Sequence, residues 1–389
     1  MITVEEALET INQHLPKKLL NFGLTTESLI ADRDYPPFDR ATMDGIAVSF
    51  NSYQEGRREF KILGVCAAGV EQVVLNHPNA CFEIMTGAAL PVHADLIIPY
   101  EEIKIENEIA FVVKEASRVK SQFIHLKGSD ALQGKNLLPA GSFLNGPAVG
   151  IAASVGKSLN QKNNHDQDQI RIQIISTGDE LVDVDQTPKN YQLRKSNVFA
   201  LEKSLRLFGF TNIKLTHLND EPEAIETHYL QNHREFDLLI YSGGVSKGKF
   251  DYLPKCWEKL GVTEHFHRVS QRPGKPLWFG TDSKSGTAVL GLPGNPVSSL
   301  VCLHRYFLSR KVIYAQLAED ISFPIDLTLF APVRIESTTD GILKAYPLKI
   351  KNSGEFTALA GSDGFIELPK EKSSFKAGEA FRFFSWNCS

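Results

Sequence analysis

The chain has 389 residues, 42% of them hydrophobic and 23% charged, with a formal net charge of -4. This is a soluble globular balance with length for roughly two to four domains, and it offers no basic footprint for nucleic acid and no polybasic run for a membrane surface. No apolar run reaches the ~18 residues of a membrane helix, and Met1-Ile2-Thr3-Val4-Glu5-Glu6 carries acids where a signal peptide carries Lys or Arg.

Residues 3–15 are expected to be helical. Val4, Ala7, Leu8, Ile11 and Leu15 recur at helical spacing, and Thr3 with Glu6 makes a capping-box pattern. From about residue 45 to 145 short β-rich runs, Ile46-Ala47-Val48, Val73-Val74-Leu75 and Phe111-Val112-Val113, alternate with Gly, Asn and Pro. They predict a small β-dominated domain. Residues 157–169 are almost entirely polar and predict a surface connection.

Beyond it, strands and helices alternate. Strands are expected at 170–176, 213–215, 236–241 and 288–290, and helices at 197–208 and 222–233, the second opening on Pro222. This order implies a three-layer α/β domain with a mainly parallel sheet. From about residue 325 the pattern is β-rich again, at 327–330, 342–343, 365–368 and 381–384, and suggests a small C-terminal barrel. The five cysteines, Cys66, Cys81, Cys256, Cys302 and Cys388, are odd in number and lack a CxxC pair. A disulfide framework and a thiolate metal site are not expected, and a reduced cytoplasmic protein is.

Four segments of the α/β region carry chemistry. Ser176-Thr177-Gly178-Asp179-Glu180-Leu181 follows a strand and falls at the carboxyl edge of the sheet, where ligands of open α/β sheets bind. Glu180 can hold a metal or a ligand hydroxyl, or its turn can cap a helix. Ser242-Gly243-Gly244-Val245-Ser246-Lys247-Gly248 also follows a strand. Gly243 and Gly244 free backbone N–H groups to converge on an anion, while Ser246 and Lys247 add a hydroxyl and a cation. Asp251 just beyond is a hard oxygen ligand suited to Mg²⁺ beside phosphates, or a helix N-cap. Arg272-Pro273-Gly274-Lys275-Pro276 braces two cations between prolines, which lowers the entropy lost on binding an oxyanion. Gly291-Leu292-Pro293-Gly294-Asn295-Pro296-Val297-Ser298 ends a strand and opens a helix, with Pro296 in its first turn and Ser298 close behind, an anion site at a helix N-terminus.

These segments, preceded by Pro37-Phe38-Asp39-Arg40-Ala41-Thr42-Met43-Asp44-Gly45-Ile46-Ala47-Val48, together resemble the MoeA family of molybdenum-insertion enzymes, whose relatives include the E domain of gephyrin. The resemblance covers nearly the whole chain. It implies four domains: a helical elongated one (12–30 and 135–168), an inserted β domain (31–134), the α/β molybdopterin-binding domain (1–11 and 169–324) and a C-terminal β-barrel (325–389). It also implies a homodimer in which the inserted domain of one subunit faces the α/β domain of the other.

The implied reaction is Mg²⁺-dependent. Molybdate meets adenylylated molybdopterin, the dithiolene sulfurs replace molybdate oxygens, and AMP and molybdenum cofactor leave. Asp44, Asp130, Glu180 and Asp251 are the implied catalytic acids. Asp251, Glu180 and Asp220 are the implied Mg²⁺ ligands, although Asp220 before Glu221-Pro222 can equally cap a helix. Thr86, Asp220, Gly243, Gly244, Pro293 and Pro296 are implied substrate contacts, and Ser246, Lys275 and Ser298 the nominated molybdate pocket. A molybdopterin adenylyltransferase and acceptor molybdoenzymes are candidate partners. Two other readings are an adenylyltransferase, whose loop is usually Thr-Gly-Gly-Thr-Gly, and a gephyrin-like scaffold without turnover.

The chain also departs from the family. His125 or Lys127 stands where an Arg usually precedes the Gly128-Ser129-Asp130 segment. The C-terminal region lacks an expected arginine, with Lys344 the nearest cation. Ser353-Gly354 and Ser362-Asp363-Gly364 match the family segments only loosely.

Overall fold

The computed structural model describes residues 1–157, 170–245, 251–308, 312–349 and 355–387. The polar connection expected over 157–169 lies almost wholly outside them, as do Ser246, Lys247 and Ser353-Gly354. The chain forms two compact units, Met1–Phe22 with Asn164–Ser389, and Gly23–Asn163.

The first helix, α1 (Val4–His14), starts as its sequence requires. The Thr3 hydroxyl accepts from the Glu6 N–H at 3.1 Å and the Glu6 carboxylate accepts from the Thr3 N–H at 2.7 Å. Val4, Ala7 and Ile11 are buried on one face.

The Gly23–Asn163 unit is built on a six-stranded sheet. In chain order its strands are β1 (Gly45–Val48), β2 (Glu59–Cys66), β3 (Ala80–Ile84), β4 (Leu96–Pro99), β5 (Ile103–Glu106) and β6 (Ile109–Val112). They lie in the order β4-β1-β3-β2-β6-β5, parallel only between β2 and β3. Residues 136–138 pair with 29–30, and helix α2 (Gly146–Ser154) follows, capped by the Asn145 side chain on the Ala148 N–H at 3.0 Å. The expected strand at Val73-Val74-Leu75 does not form. Val74 makes one isolated bridge to Val92, because this run meets a loop and not a sheet neighbour.

In the other unit, β7 (Arg171–Thr177), α3 (Ser196–Leu207), β8 (Asn212–Leu218), α4 (Pro222–Asn232), β9 (Leu238–Ser242), α5 (Leu253–Lys259), β10 (Thr263–His267), β11 (Trp278–Thr281), β12 (Ala288–Leu292) and α6 (Pro296–Leu303) follow one another. The sheet order is β8-β7-β9-β12-β11-β10, parallel across the first four strands and antiparallel beyond. Strands β10 and β11 were not expected from the sequence. Side chains alternate across the sheet. Ile172 and Ile174 join α1, α3 and α6 in one core, while Ile175, Leu239 and Tyr241 join Ile225 and Trp257 of α4 and α5 in the other. The result is the expected three-layer, mainly parallel domain.

Five strands, β13 (Ile313–Leu317), β14 (Thr328–Ser337), β15 (Leu343–Pro347), β16 (Gly364–Leu368) and β17 (Ala380–Ser385), close into a barrel in the order β14-β15-β13-β17-β16-β14. Strand β13 was not expected. Ser362-Asp363-Gly364 is built into this barrel: Asp363 Oδ2 accepts from the Ile335 N–H at 2.7 Å and Ser362 Oγ accepts from Trp386 Nε1 at 2.8 Å.

The barrel is tied to the α/β part of the same unit by a buried ion pair. Arg305, just after α6, places Nε 2.5 Å from Glu367 Oε2 on β16, and the guanidinium lies over Phe384. Removing one partner of a buried pair leaves an uncompensated charge, costing about 3–5 kcal/mol. Arg305→Ala is expected to lower unfolding free energy by about that much in urea titration. A loss within ~0.5 kcal/mol would show the pair to be solvated and dispensable.

Candidate functional site

Strands β7, β8, β9 and β12 run in the same direction, so the turns after Thr177, Leu218, Ser242 and Leu292 all leave one edge of the sheet. Two of these turns, after Thr177 and after Leu218, with the start of the segment leading into α5, bring carboxylates together. The Asp220 carboxyl is pushed up to about 6, first by burial and then by the charges of Asp179, Glu180 and Asp251. The Asp179 carboxylate also accepts the Asp220 N–H at 3.2 Å. Glu180, Asp220 and Asp251 therefore do share one electrostatic environment, and Asp179 joins them.

The N-cap positions of the neighbouring helices do not fall on these three acids. The Asp179-Glu180 turn leads into residues 181–182, which pair with 193–194 and open no helix. The N-cap position of α4 is Glu221 and that of α5 is Tyr252, one residue past Asp220 and Asp251 respectively.

Gly243 serves differently from expectation. Its N–H is taken by the Leu292 carbonyl at 3.0 Å and does not converge on an anion. Its φ is +109°, and a Cβ there would lie 2.9 Å from Thr177 Oγ1 and 3.0 Å from Thr177 O. The residue is glycine because two turns touch here. Thr177 itself is buried, and its hydroxyl has no hydrogen-bond partner among the described residues. Asn197, at the start of α3, ties the turns together: Nδ2 donates to Ser242 Oγ at 3.0 Å and to Gly294 O at 2.8 Å. Sequence reading missed Thr177, Asp179 and Asn197. Asp179 could have been found, since it stands beside Glu180 in the same turn.

Pro296 occupies the first turn of α6, and Ser298 is buried in that turn. Pro293 O accepts from Ser299 Oγ, which fixes the approach to the helix. Arg272 and Lys275 are exposed, on a turn held against α6. Gln271 Nε2 donates to Gly274 O at 3.0 Å and lies 3.4 Å from Cys302 Sγ, while Tyr306 donates to Gln271 Oε1. A Cβ on Gly274 would lie 2.5 Å from that sulfur, so only glycine fits. Ser246, the third nominated molybdate contact, lies outside the described residues.

In the Gly23–Asn163 unit, Asp44 Oδ1 accepts from both the Thr86 N–H at 2.6 Å and the Thr86 hydroxyl at 2.7 Å. These bonds hold the Asp44 carboxyl below its ordinary value. Asp130 Oδ1 lies 2.8 Å from His125 Nε2, and Arg40 lies 3.2 Å from His125 Nδ1. Arginine only donates, so Nδ1 accepts and Nε2–H donates to Asp130. Of the two residues standing near the usual arginine, His125 holds Asp130, whereas Lys127 faces Asp34 at 3.7 Å.

Among the described residues no group of three or more His, Cys, Asp or Glu side chains is arranged to hold a metal ion by itself. The donor set of Glu180, Asp220 and Asp251 is nevertheless all hard oxygen, and its mutual repulsion suits a cation. Mg²⁺ is commonly bound through one or two carboxylates with substrate phosphates completing its shell.

An α/β unit that gathers four acids where its parallel strands end, joined to a closed barrel, defines a multidomain α/β protein with an acidic cluster at that edge. Three family models cover the chain: the MoeA N-terminal region (domain I and II) over residues 2–156, a probable molybdopterin binding domain over 173–311, and the MoeA C-terminal region (domain IV) over 314–386. The chain is 51% identical over 401 residues to a molybdopterin molybdenumtransferase of a Synechocystis species, spanning 99% of this chain and 100% of that one. It is 28% identical over 403 residues to the one of Staphylococcus epidermidis, spanning 97% and 94%. The crystal structure of a molybdopterin biosynthesis MoeA protein from Pyrococcus horikosii matches at a TM-score of 0.76 and 25% identity, covering all of both chains. The chain belongs to the MoeA family.

The raised Asp220 carboxyl has a stability consequence. In the unfolded chain this group titrates near 4, so between about pH 4 and about pH 6 the folded state holds more protons. Its contribution to stability therefore falls as pH rises through that window, and above it the penalty is complete. In chelator, Asp220→Asn is expected to unfold at higher denaturant than wild type above pH 6 and at the same denaturant below pH 4. A variant less stable than wild type at pH 7 would contradict the crowding.

Proposed function

We propose that this protein inserts molybdenum from molybdate into adenylylated molybdopterin, releasing AMP and molybdenum cofactor. The observation that carries the reading is the gathering of Asp179, Glu180, Asp220 and Asp251 at one sheet edge, in a family whose members process a polyanionic nucleotide-linked substrate. Acids accept such a substrate only with cations between them and its pyrophosphate. Glu180, Asp220 and Asp251 are the residues that would hold Mg²⁺, which when bound neutralises phosphate charge.

The chain's own groups then divide the work. The edge acids orient the phosphoanhydride and a water, so that the P–O–P bond breaks and AMP departs. The turns at Gly243 and Pro293 pack closely at this edge, their backbone held by the Leu292 carbonyl and the Ser299 hydroxyl. Lys275 and Ser298 hold molybdate beside the dithiolene: lysine is a compact cation and the hydroxyl a neutral donor. Asp44, oriented by Thr86, and Asp130, oriented by His125, act from the second subunit of a homodimer. The four-domain division fits the matched N-terminal region of domains I and II and the C-terminal domain IV. The described cysteines Cys66, Cys81, Cys256 and Cys302 are free and buried, which suits a reducing cytoplasm.

The test is Mg²⁺- and molybdate-dependent AMP release. Wild type is expected to release AMP, and Asp251→Asn to fold normally yet lose release by about a hundredfold or more at limiting Mg²⁺, because a neutral amide is a poorer ligand for a hard cation. Wild-type release by Asp251→Asn would remove the metal role, and absence of release by wild type would remove the function.

Sharing of the site between subunits has its own test. Chains carrying Asp44→Ala and chains carrying Asp251→Ala are each expected to be inactive, and their heterodimer to regain about one intact site. A verified heterodimer without activity would place all the acids of each site on one chain.

A further inference from the structure

On one face of the α/β sheet three neighbouring strands change from apolar to polar at the same level. Ile172 and Ile174 of β7, Ile213 and Leu215 of β8, and Leu238 and Ile240 of β9 pack into or against the core shared with α1, α3 and α6. Two residues further along each strand, the same face carries Ser176, His217 and Ser242. The register puts Ser176 opposite both of the others. Ser176 and Ser242 are buried, and burying polar groups costs stability unless they are bonded. Ser176 Oγ lies 2.9 Å from His217 Nδ1, and Ser242 Oγ accepts from Asn197 Nδ2 at 3.0 Å. His217 is half-buried and feels the charges of Lys195, Asp183 and Asp179. Lys195 Nζ is 2.7 Å from Asp183 Oδ1, so that cation is already matched. Burial first, then the charge of Lys195, holds the ring below the ordinary histidine range. It is therefore uncharged at neutral pH and meets Ser176 as a neutral partner.

Ser176 and His217 each stand just before a turn of the acidic edge. Ser176 precedes Thr177-Gly178-Asp179-Glu180, and His217 precedes Leu218-Asn219-Asp220. Within those turns the Asp179 carboxylate accepts the Asp220 N–H at 3.2 Å. The ends of β7 and β8 are thus tied twice by side chains, before the turns by His217 with Ser176 and inside them by Asp179 with the Asp220 backbone. Apolar residues at 176 and 217 would continue the core but leave the turns without the first tie. We infer that His217 is a positioning residue of the acidic edge: its bond to Ser176 sets the spacing of Glu180 and Asp220, and with it the seat of the cation. This rests on the function proposed above for the use to which that cation is put. Groups that orient metal ligands from behind typically contribute about 10–100-fold in metal affinity or activity.

The experiment uses the full chain. His217→Leu and Ser176→Ala each remove the bond from one side, and His217→Asn keeps a polar atom near the Nδ1 position. AMP release is measured with molybdate at varied Mg²⁺. Mn²⁺ binding is read from its electron paramagnetic resonance signal with adenylyl-molybdopterin present and molybdate omitted, and stability from urea unfolding. His217→Leu and Ser176→Ala are expected to raise the half-saturating Mg²⁺ and to weaken Mn²⁺ binding about tenfold or more. Both stay folded and bind molybdate as wild type does in equilibrium dialysis. His217→Asn should recover most of the loss. The double variant should be no worse than the worse single one, because both cut the same bond. Wild-type metal affinity in every variant, or additive losses in the double one, overturns the inference. A change confined to urea unfolding makes the row a structural tie alone and overturns it too. If His217→Leu does not fold, Ser176→Ala and His217→Asn decide in its place. If wild type never releases AMP but Mn²⁺ binding follows the expected pattern, the positioning role stands and the proposed reaction falls. If every variant releases AMP like wild type with the same Mg²⁺ dependence, the reaction stands and the positioning role falls.

Discussion

The parallel ladder β8-β7-β9-β12 governs what this protein can do chemically. Residues pair along it without a shift, from Arg171 with Asn212 to Thr177 with Leu218, and from Leu238 with Ala288 to Ser242 with Leu292. Parallel strands must all end on the same edge, so residues far apart in sequence arrive there together. The cost is electrostatic. Two like charges about 4 Å apart cost ~4 kcal/mol at an effective dielectric near 20. The protein relieves part of that by letting Asp220 keep its proton to about pH 6. A cluster that strained without a cation is weak as a structural device and well suited to recruiting one.

Rigidity at the edge comes from layers beneath it. Tyr241, Trp257 and Trp278 are fully buried behind β9 and β12. Asn197 crosses between two turns by bonding Ser242 and Gly294. On the cationic side, Gln271, Gly274, Cys302 and Tyr306 interlock so that the turn presenting Arg272 and Lys275 rests on α6. The Arg305–Glu367 pair then fixes the barrel to the same helix end. Each contact is remote from the chemistry, yet each sets the position of a charged group that is not.

The sequence made the helices and parallel strands legible because their signals are local. The Thr3–Glu6 box, Pro222 at the start of α4 and the apolar run of β7 all gave elements within a few residues of those seen. What escaped depended on neighbours. Thr263–His267 has few apolar residues and becomes a strand only by pairing with β11. Val73-Val74-Leu75 has the right composition but no partner strand. The acids Glu180, Asp220 and Asp251 were found by motif, but Asp179 and Asn197 gain meaning only when the turns meet. Gly243 was assigned an anion-binding N–H that Leu292 already occupies. The choice between His125 and Lys127 was open in sequence; in the structure His125, paired with Arg40, lies 2.8 Å from Asp130, whereas Lys127 lies 3.7 Å from Asp34.

Within the α/β-and-barrel unit the two signs of charge are kept apart. The carboxylates sit where β7, β8 and β9 end, and the cations Arg272 and Lys349, without an ion-pair partner among the described residues, line a cavity beside α6. Both substrates of the proposed reaction are anions, and a single basic pocket would make them compete. Acids repel molybdate outright and admit pyrophosphate only in the company of a cation, whereas exposed lysine and arginine attract either. Separating the two environments therefore gives each anion its own counter-charge. In the proposed reaction, retention of the nucleotide end would then depend on a metal that the oxyanion end does not require.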